Sequence, residues 1–265
     1  MRLMREARCT LFEGGSSGAV TNSWAGGPTT EALAPYVVLR AIVEGPVDRD
    51  TGYVCNIGIL DRLLRGSALK AIEQSSRGSA NGAVQPAPAT RAAFRDLARA
   101  NAELHPSRLV SLVLFASPHL WYVVGKDEPD VVGVTRCFEF SASHRLHNPR
   151  FTEQQNQQAF GKCANPSSHG HNYVLEITVT GVPDPASGKV IDVALLDRVV
   201  KEKVIDRFDH KHLNVDCPEF ASLIPSVENI ARTIWDLLEG SLSQGSLSCV
   251  RVWETPKTYA EYSGE

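Results

Sequence analysis

The chain carries two regions with the same succession of hydrophobic and polar patterns. β-rich runs occupy 36–44 and 173–180, and each leads through a turn containing Asp and Gly into an apolar-periodic helix that Asn56 or Asp192 can cap. A second helix is predicted at about 226–239, where apolar residues recur on one face. Two short strands follow it. We therefore predict the order strand, strand, helix, helix, strand, strand in each region.

The two regions also match residue by residue. The 25 residues from Val38 align without gaps on those from Val174 at a constant offset of 136, and ten positions are identical. Composition alone would give roughly one or two identities. We interpret this as a tandem duplication, with modules at 1–128 and 129–265. The predicted fold class is α+β, with two modules that each form an antiparallel four-stranded sheet with two helices on one face.

The composition of the chain is that of an ordinary globular protein. It has 265 residues, a formal net charge of −3, and 27 basic residues against 30 acidic ones, which offers no basic footprint for nucleic acid. Six cysteines without a CxxC pair do not form a disulfide framework. No apolar stretch approaches the length of a membrane span. We expect a cytoplasmic protein without nucleic-acid or membrane partners.

Histidine is concentrated in the second region, where six of eight lie between residues 144 and 212. His169 and His171 open a β-run, and residues i and i+2 of a strand point to one face. His144 ends another β-like run 25 residues earlier. Three histidines without a fourth protein ligand are the pattern of a catalytic zinc site with an open position. Alone, a His-x-His pair is about as consistent with chance placement on a strand.

Other chemically active side chains follow in the same region. Cys163 precedes His169 by six residues, and a thiolate near Zn²⁺ and Lys162 could act as base or nucleophile, although most free cysteines are small buried hydrophobes. Asp209 is adjacent to His210 and can orient it for proton transfer. Glu254 lies among apolar strand residues; it either binds a guanidine-like N–C–N edge or simply faces outward.

The order of these motifs resembles the 6-pyruvoyl-tetrahydropterin synthase family. The segments that carry the resemblance are FSASHRL from Phe140, GKC from Gly161 followed after five residues by HGHNY, DHK-x-LN from Asp209, EN from Glu228 and VWET from Val252. The family has the tunnelling fold, or T-fold, whose module has the element order predicted above. The resemblance covers about residues 134–265, the whole second module.

The resemblance implies a role for each candidate residue. It makes Cys163 the proton-abstracting base and Asp209 with His210 the acid/base pair. The zinc ligands that it implies are His144, His169 and His171, and the pterin pocket that it implies contains Glu254, Ser226 and Glu228. Glu228 can also simply complement the dipole of its helix. The substrate implied is 7,8-dihydroneopterin triphosphate, which would lose triphosphate to give 6-pyruvoyl-tetrahydropterin.

The first module lacks this chemistry. Under the offset of 136, His169 and His171 fall on Leu33 and Pro35, and the motif alignment places Ala116 opposite Glu254. We interpret it as a module that keeps the fold without the ligands. Family members build barrels from three modules and stack two barrels, with sites at module interfaces. We therefore expect a homo-oligomer, either three chains forming a pseudo-hexamer or two chains forming a four-module barrel.

Three other functions compete with this one. The first is a 6-carboxytetrahydropterin synthase of queuosine-precursor synthesis, which uses the same substrate; the six-residue spacing from Cys163 to His169 favours the pyruvoyl branch over it. The second is a non-catalytic pterin-binding scaffold, which the silent first module suggests. The third is a hydrolase with a three-histidine zinc site, which would leave Cys163 and Glu254 unexplained.

Overall fold

The computed structural model describes residues 1–11, 35–75 and 84–264. They fall into two compact units. The amino-terminal unit comprises Met1–Val134 and Thr180–Val190, and the carboxyl-terminal unit comprises Thr135–Val179 and Ile191–Glu265. The predicted module limits, 1–128 and 129–265, stay a prediction.

The amino-terminal unit contains a four-stranded antiparallel sheet and helices between its second and third strands. The strands pair in the order β1-β2-β3-β4. Their bounds are β1 Arg2–Thr10, β2 Tyr36–Glu44, β3 Arg108–Ser117 and β4 Leu120–Gly125, and the helices are α1 Ile57–Leu63, a π-helical turn Leu64–Ala68, α2 Leu69–Gln74, α3 Pro86–Arg99 and α4 Asn101–Leu104.

Alternating burial along β2 explains why this segment forms a strand. Leu39, Ala41 and Val43 are buried and the residues between them are half-buried, so one face of the strand contributes to the core. The helix α1 begins as predicted, since the Asn56 side chain accepts a hydrogen bond from the Gly58 amide at 2.8 Å. The predicted strand limits of 36–44 are confirmed.

One expectation for this unit is wrong. The small-residue-rich stretch 66–90 suggests a loose loop, but the structure has helices over Leu64–Gln74 and from Pro86 onward. Leu64, Ala68 and Ile72 are buried at helical spacing, and this apolar stripe outweighs the loop-like composition. Residues 76–83 lie outside the described part of the chain.

The carboxyl-terminal unit contains the remaining strands. They are ordered β5-β6-β8-β9, and the two-residue strand β7 pairs with β5. The strand bounds are β5 Val132–His144, β6 His169–Gly181, β7 Lys211–His212, β8 Ser246–Thr255 and β9 Thr258–Tyr262. The helices are α5 Glu153–Phe160, a 3₁₀ turn Gly161–Ala164, α6 Val193–Val200, a π-helical turn Lys201–Ile205, α7 Asp206–Phe208, α8 Leu213–Asp216, a 3₁₀ turn Pro218–Phe220 and α9 Val227–Leu238.

The core of this unit lies between α9 and the sheet. α9 packs on β8 and β9, and its buried residues Ile230, Ile234 and Leu238 recur every fourth position. Ser226 caps the helix by accepting from the Asn229 amide at 3.4 Å. The predicted helix at 226–239 and the caps at Asn56 and Asp192 are thereby confirmed.

The α+β class and the antiparallel strands are confirmed, with two additions. β7 runs parallel to β5, so the sheet is not purely antiparallel. The helix α5 is inserted between β5 and β6 and begins with a capping box of Thr152 and Gln155. The sequence spacing Thr-x-x-Gln contains this signal, which the prediction overlooked. No helix among the residues described is both long and apolar enough to cross a bilayer.

Candidate active site

Two neighbouring strands bring the three predicted zinc ligands together. Thr135 and Thr178 share a hydrogen bond of 2.9 Å near one end of β5 and β6, and His144 lies beside His169 at the other. This antiparallel register places the last residue of β5 next to the first residue of β6. Because His169 and His171 share a face of β6, all three imidazoles converge on one point.

The geometry of this cluster suits a metal ion. One nitrogen from each of His144, His169 and His171 lies within 4.8 Å of the others, and the His144 and His169 Nε2 atoms are 3.2 Å apart. The Nδ1 of His144 donates to the Pro225 carbonyl at 2.7 Å, which leaves Nε2 with its lone pair free for a metal. The structure therefore supplies an outer partner that metal-ligating histidines ordinarily have.

Burial keeps this cluster neutral. His144 is fully buried, and burial lowers the pKa of its imidazole to about 4, with a smaller lowering from the neighbouring histidines and an opposing rise from the Pro225 bond. Burial also lowers the pKa of His171, against an opposing effect of Glu254. Neutral imidazoles are the form that binds metals, so at neutral pH the cluster needs no deprotonation before binding.

Glu254 lies directly beside the histidines. Its Oε1 is 3.5 Å from His144 Nε2 and 3.6 Å from His171 Nε2, and its side chain is about one-fifth exposed. Of the two interpretations from sequence, an outward-facing strand residue is therefore excluded. Tyr173, a buried residue that the sequence reasoning missed, places its hydroxyl 3.4 Å from His144 Nδ1.

Cys163 lies in the 3₁₀ turn that follows α5. Burial raises the pKa of its thiol, and the negative charge of Glu254 raises it further. Glu254 thus connects this cysteine electrostatically to the histidine cluster. The protein groups around Cys163 favour the protonated thiol, so an added positive charge is needed to favour the thiolate.

Asp209 and His210 form the predicted acid/base pair. Asp209 Oδ2 is 2.8 Å from His210 Nδ1, and its Oδ1 accepts from the Ser141 amide at 2.8 Å. The Ser141 bond, followed by His210, lowers the pKa of Asp209. The His210 amide in turn donates to the Ser141 carbonyl at 2.6 Å. The carboxylate is thus held ionised and orients an imidazole that is 82% exposed.

The pair lies on the other face of the sheet from the histidine cluster. Along β5, Phe140, Ala142 and His144 are buried, whereas Ser141 and Ser143 point the other way. His210 contributes to a pocket of about 430 Å³ on the side of the two serines. Its other lining residues there include Gly170, Asn172, Lys211 and His212.

The remaining predicted pocket residues have structural positions at the start of α9. Ser226 is the helix cap, and it directly follows Pro225, whose carbonyl fixes His144. Glu228 is exposed in the first turn. Their roles in pterin binding stay predictions.

The fold and site together define an α+β protein with a three-histidine candidate metal centre. Residues 133–265 match the family model described as 6-pyruvoyl tetrahydropterin synthase. The human protein named 6-pyruvoyl tetrahydrobiopterin synthase is 43% identical over 132 residues, which is 50% of this chain and 91% of the human one. The Drosophila melanogaster protein of that name is 40% identical over 51% of this chain and 80% of its own length. The chain belongs to the 6-pyruvoyl tetrahydropterin synthase family.

Two further relatives give the breadth of the match. A protein from Haemophilus influenzae named 6-carboxy-5,6,7,8-tetrahydropterin synthase is 32% identical over 38% of this chain and 84% of its own length. The solved structure of the Caenorhabditis elegans 6-pyruvoyl tetrahydropterin synthase is 37% identical over 51% of this chain and 96% of that chain, with a TM-score of 0.49. All of these matches cover about half of the chain or less.

Proposed function

We propose that the chain is a zinc-dependent enzyme that converts 7,8-dihydroneopterin triphosphate to 6-pyruvoyl-tetrahydropterin with release of triphosphate. The observation that carries this proposal is the convergence of His144, His169 and His171, with the His144 tautomer fixed by Pro225, inside the segment that matches the family. The identity of 43% to the human 6-pyruvoyl enzyme, against 32% to the 6-carboxy enzyme, favours the pyruvoyl product.

The three histidines fit Zn²⁺ by donor type and number. Neutral imidazole is a ligand that zinc prefers, and three protein ligands leave a position open, as in catalytic sites. The His171 Nε2 is buried without a hydrogen-bond partner among the described residues, as expected of an atom that needs a further contact. Zinc bound there supplies a Lewis acid that acidifies a substrate hydroxyl and the adjacent C–H.

The other residues act on the substrate and its protons. Cys163 Sγ takes the carbon-bound proton of the side chain as a general base. His210, oriented by Asp209, returns a proton during the tautomerisation that follows loss of triphosphate. Glu254 accepts two hydrogen bonds from the N–C–N edge of the pterin.

The proton shuttle and the metal cluster lie on opposite faces of one sheet, so we propose that a complete site takes them from two modules of the assembly. His210 is 82% exposed, whereas the imidazoles of the cluster are at least four-fifths buried where His144 and His171 are concerned. An exposed, well-oriented imidazole is suited to a pocket that a neighbouring copy supplies.

The proposed duplication is supported by geometry that recurs 136 residues apart. Asp48 Oδ1 accepts from the amide and hydroxyl of Thr51, both at 2.8 Å, and Asp184 Oδ1 accepts from the same groups of Ser187 at 2.7 and 2.8 Å. The glycines that follow, Gly52 and Gly188, have φ of 73° and 69°.

A buried ion pair repeats in the same way. Asp61 binds Arg5 of β1 at 2.6 Å, and Asp197 binds Arg136 of β5 at 2.8 Å. Both aspartates lie on the first long helix of their segment, in front of a π-helical turn. We therefore propose a tandem T-fold in which the first module supports the assembly and the second carries the chemistry.

We expect the purified protein to have the mass of three chains by light scattering, as one barrel of silent modules on one barrel of active modules. A mass of two chains would instead indicate a four-module barrel. A stable monomer would contradict both arrangements.

The function is tested directly by incubating zinc-loaded protein with 7,8-dihydroneopterin triphosphate and identifying the pterin product by mass. We expect 6-pyruvoyl-tetrahydropterin from the wild type, and a rate lower by about 10²–10⁴-fold from Cys163→Ala, the range for loss of a general base. Cys55→Ala, which removes a cysteine far along the chain from these residues, serves as control. A 6-carboxy product would favour the alternative enzyme, and no turnover would favour a binding scaffold.

A further inference from the structure

The residue in front of His169 has an unusual backbone conformation. Ser168 has φ of 63°, one of two positive values at non-glycine residues in the described chain. Such values are uncommon for residues that carry a Cβ, so they persist where neighbouring contacts hold them. The Ser168 amide donates to the Asn165 carbonyl at 2.9 Å, and its Oγ lies 2.6 Å from His212 Nε2.

His212 is itself held next to the strand that carries His144. It belongs to β7, where it pairs with Ser143, the residue that precedes His144. Its amide donates to Asp216 Oδ2 at 2.7 Å. The His212 imidazole therefore connects the segment beside His144 to the turn that introduces His169.

His169 depends on this connection more than His144 does. The His144 ring is fixed by its bond to the Pro225 carbonyl, but the His169 Nδ1 is buried and has no hydrogen-bond partner among the residues described. His169 is also the first residue of β6, where the strand has no preceding ladder residue to fix it. Its orientation must therefore come from its backbone, and the contact that anchors that backbone is the Ser168–His212 bond.

We propose that the Ser168–His212 hydrogen bond positions His169 as a metal ligand, so that His212 and Ser168 are positioning residues for the zinc centre. This inference rests on the proposed metal-dependent function. The bond takes the place of the outer partner that a metal-binding histidine ordinarily has on its second ring nitrogen. It also holds the left-handed turn that aims His169 at His144.

The test compares variants that remove the bond with variants that keep it or make it unnecessary. His212→Ala and Ser168→Ala remove it, and Ser168→Ala keeps the unfavourable φ. His212→Gln places an amide near the position of Nε2 and can still bind Ser168. Ser168→Gly loses the bond but tolerates positive φ. Ser167→Ala and His147→Ala are the matched controls.

The measurements are zinc affinity by chelator competition, the visible spectrum of the Co²⁺-substituted protein, and thermal unfolding of the metal-free protein. We expect His212→Ala and Ser168→Ala to weaken zinc binding by about 10–100-fold and to alter the Co²⁺ spectrum. His212→Gln should bind zinc nearly as the wild type does, and Ser168→Gly should fall in between. The double alanine variant should be no weaker than either single one, because both remove the same bond.

Unchanged zinc affinity and Co²⁺ spectra in both alanine variants would overturn the proposal. So would a loss of turnover in His212→Ala at saturating zinc with unchanged affinity, since His212 would then act on the substrate. A fall in the unfolding temperature of the metal-free His212→Ala protein that His212→Gln does not restore would indicate a general structural role instead. Wild-type protein that binds zinc without converting the pterin would contradict the proposed function alone, whereas wild-type protein that binds no zinc would contradict both.

Discussion

Replacement of His171 by alanine is expected to raise the zinc dissociation constant by more than about 100-fold and to abolish pterin turnover at limiting zinc. Loss of an outer partner of a ligand alone costs about 10–100-fold in affinity, and removal of the ligand itself should cost more. His171 is preferable to His144 for this test, since His144 is fully buried and its truncation would leave a cavity in the core. Zinc affinity by chelator competition and turnover at fixed zinc are the two measurements.

His147→Ala is the matched control. It removes a histidine of the same unit that lies 3.5 Å from Glu153 and outside the cluster of three. Zinc affinity should stay at the wild-type value there. Unchanged affinity in His171→Ala with an intact circular dichroism spectrum would show that the three histidines do not form the metal site.

The sequence was sufficient to predict the features that depend on short spacing. His169 and His171 share a face because residues i and i+2 of a strand always do, and the caps at Asn56 and Asp192 follow from side chains two or three residues away from the amides they bind. The repeat at an offset of 136 predicted two similar successions of strands and helices because hydrophobic periodicity is a local property.

Features that depend on long-range pairing were not predictable in this way. The Pro225 carbonyl that fixes His144 lies 81 residues away along the chain, and nothing in the local sequence indicates a bond between them. Strand β7 is two residues long, too short to have a hydrophobic period, yet its parallel pairing sets the position of His212. The Ser168–His212 bond depends on both the pairing and a left-handed turn.

The placement of His210 is a case in which a residue was found and its position was not. The Asp-His pair is visible in sequence, and the structure brings its two side chains to 2.8 Å. The side of the sheet that it occupies depends on its attachment to Ser141, whose side chain points away from the face that carries His144. A single module therefore presents an acid/base pair and a metal cluster in different directions.

Mixed assemblies of two inactive variants are expected to recover activity for this reason. Cys163→Ala removes the base beside the metal cluster, and His210→Ala removes the exposed imidazole, so each variant alone should lose about 10²–10⁴-fold in turnover. When the two chains are co-expressed with different tags and isolated together, some pockets combine an intact Cys163 from one chain with an intact His210 from the other. Random pairing of sites between chains gives about one quarter of wild-type activity, as half of each contribution is intact.

The control for this experiment is the mixture of separately purified variants under conditions without exchange of chains, which should remain inactive. A second control replaces His210→Ala by the double variant Cys163→Ala/His210→Ala, so that no chain in the mixed assembly carries Cys163 and no recovery is possible. Mixed assemblies no more active than their parents would show that Cys163 and His210 act within one chain. Recovery near one quarter would instead assign the metal cluster and the proton shuttle of each pocket to different copies, which the opposite orientation of Ser141 and His144 on β5 requires.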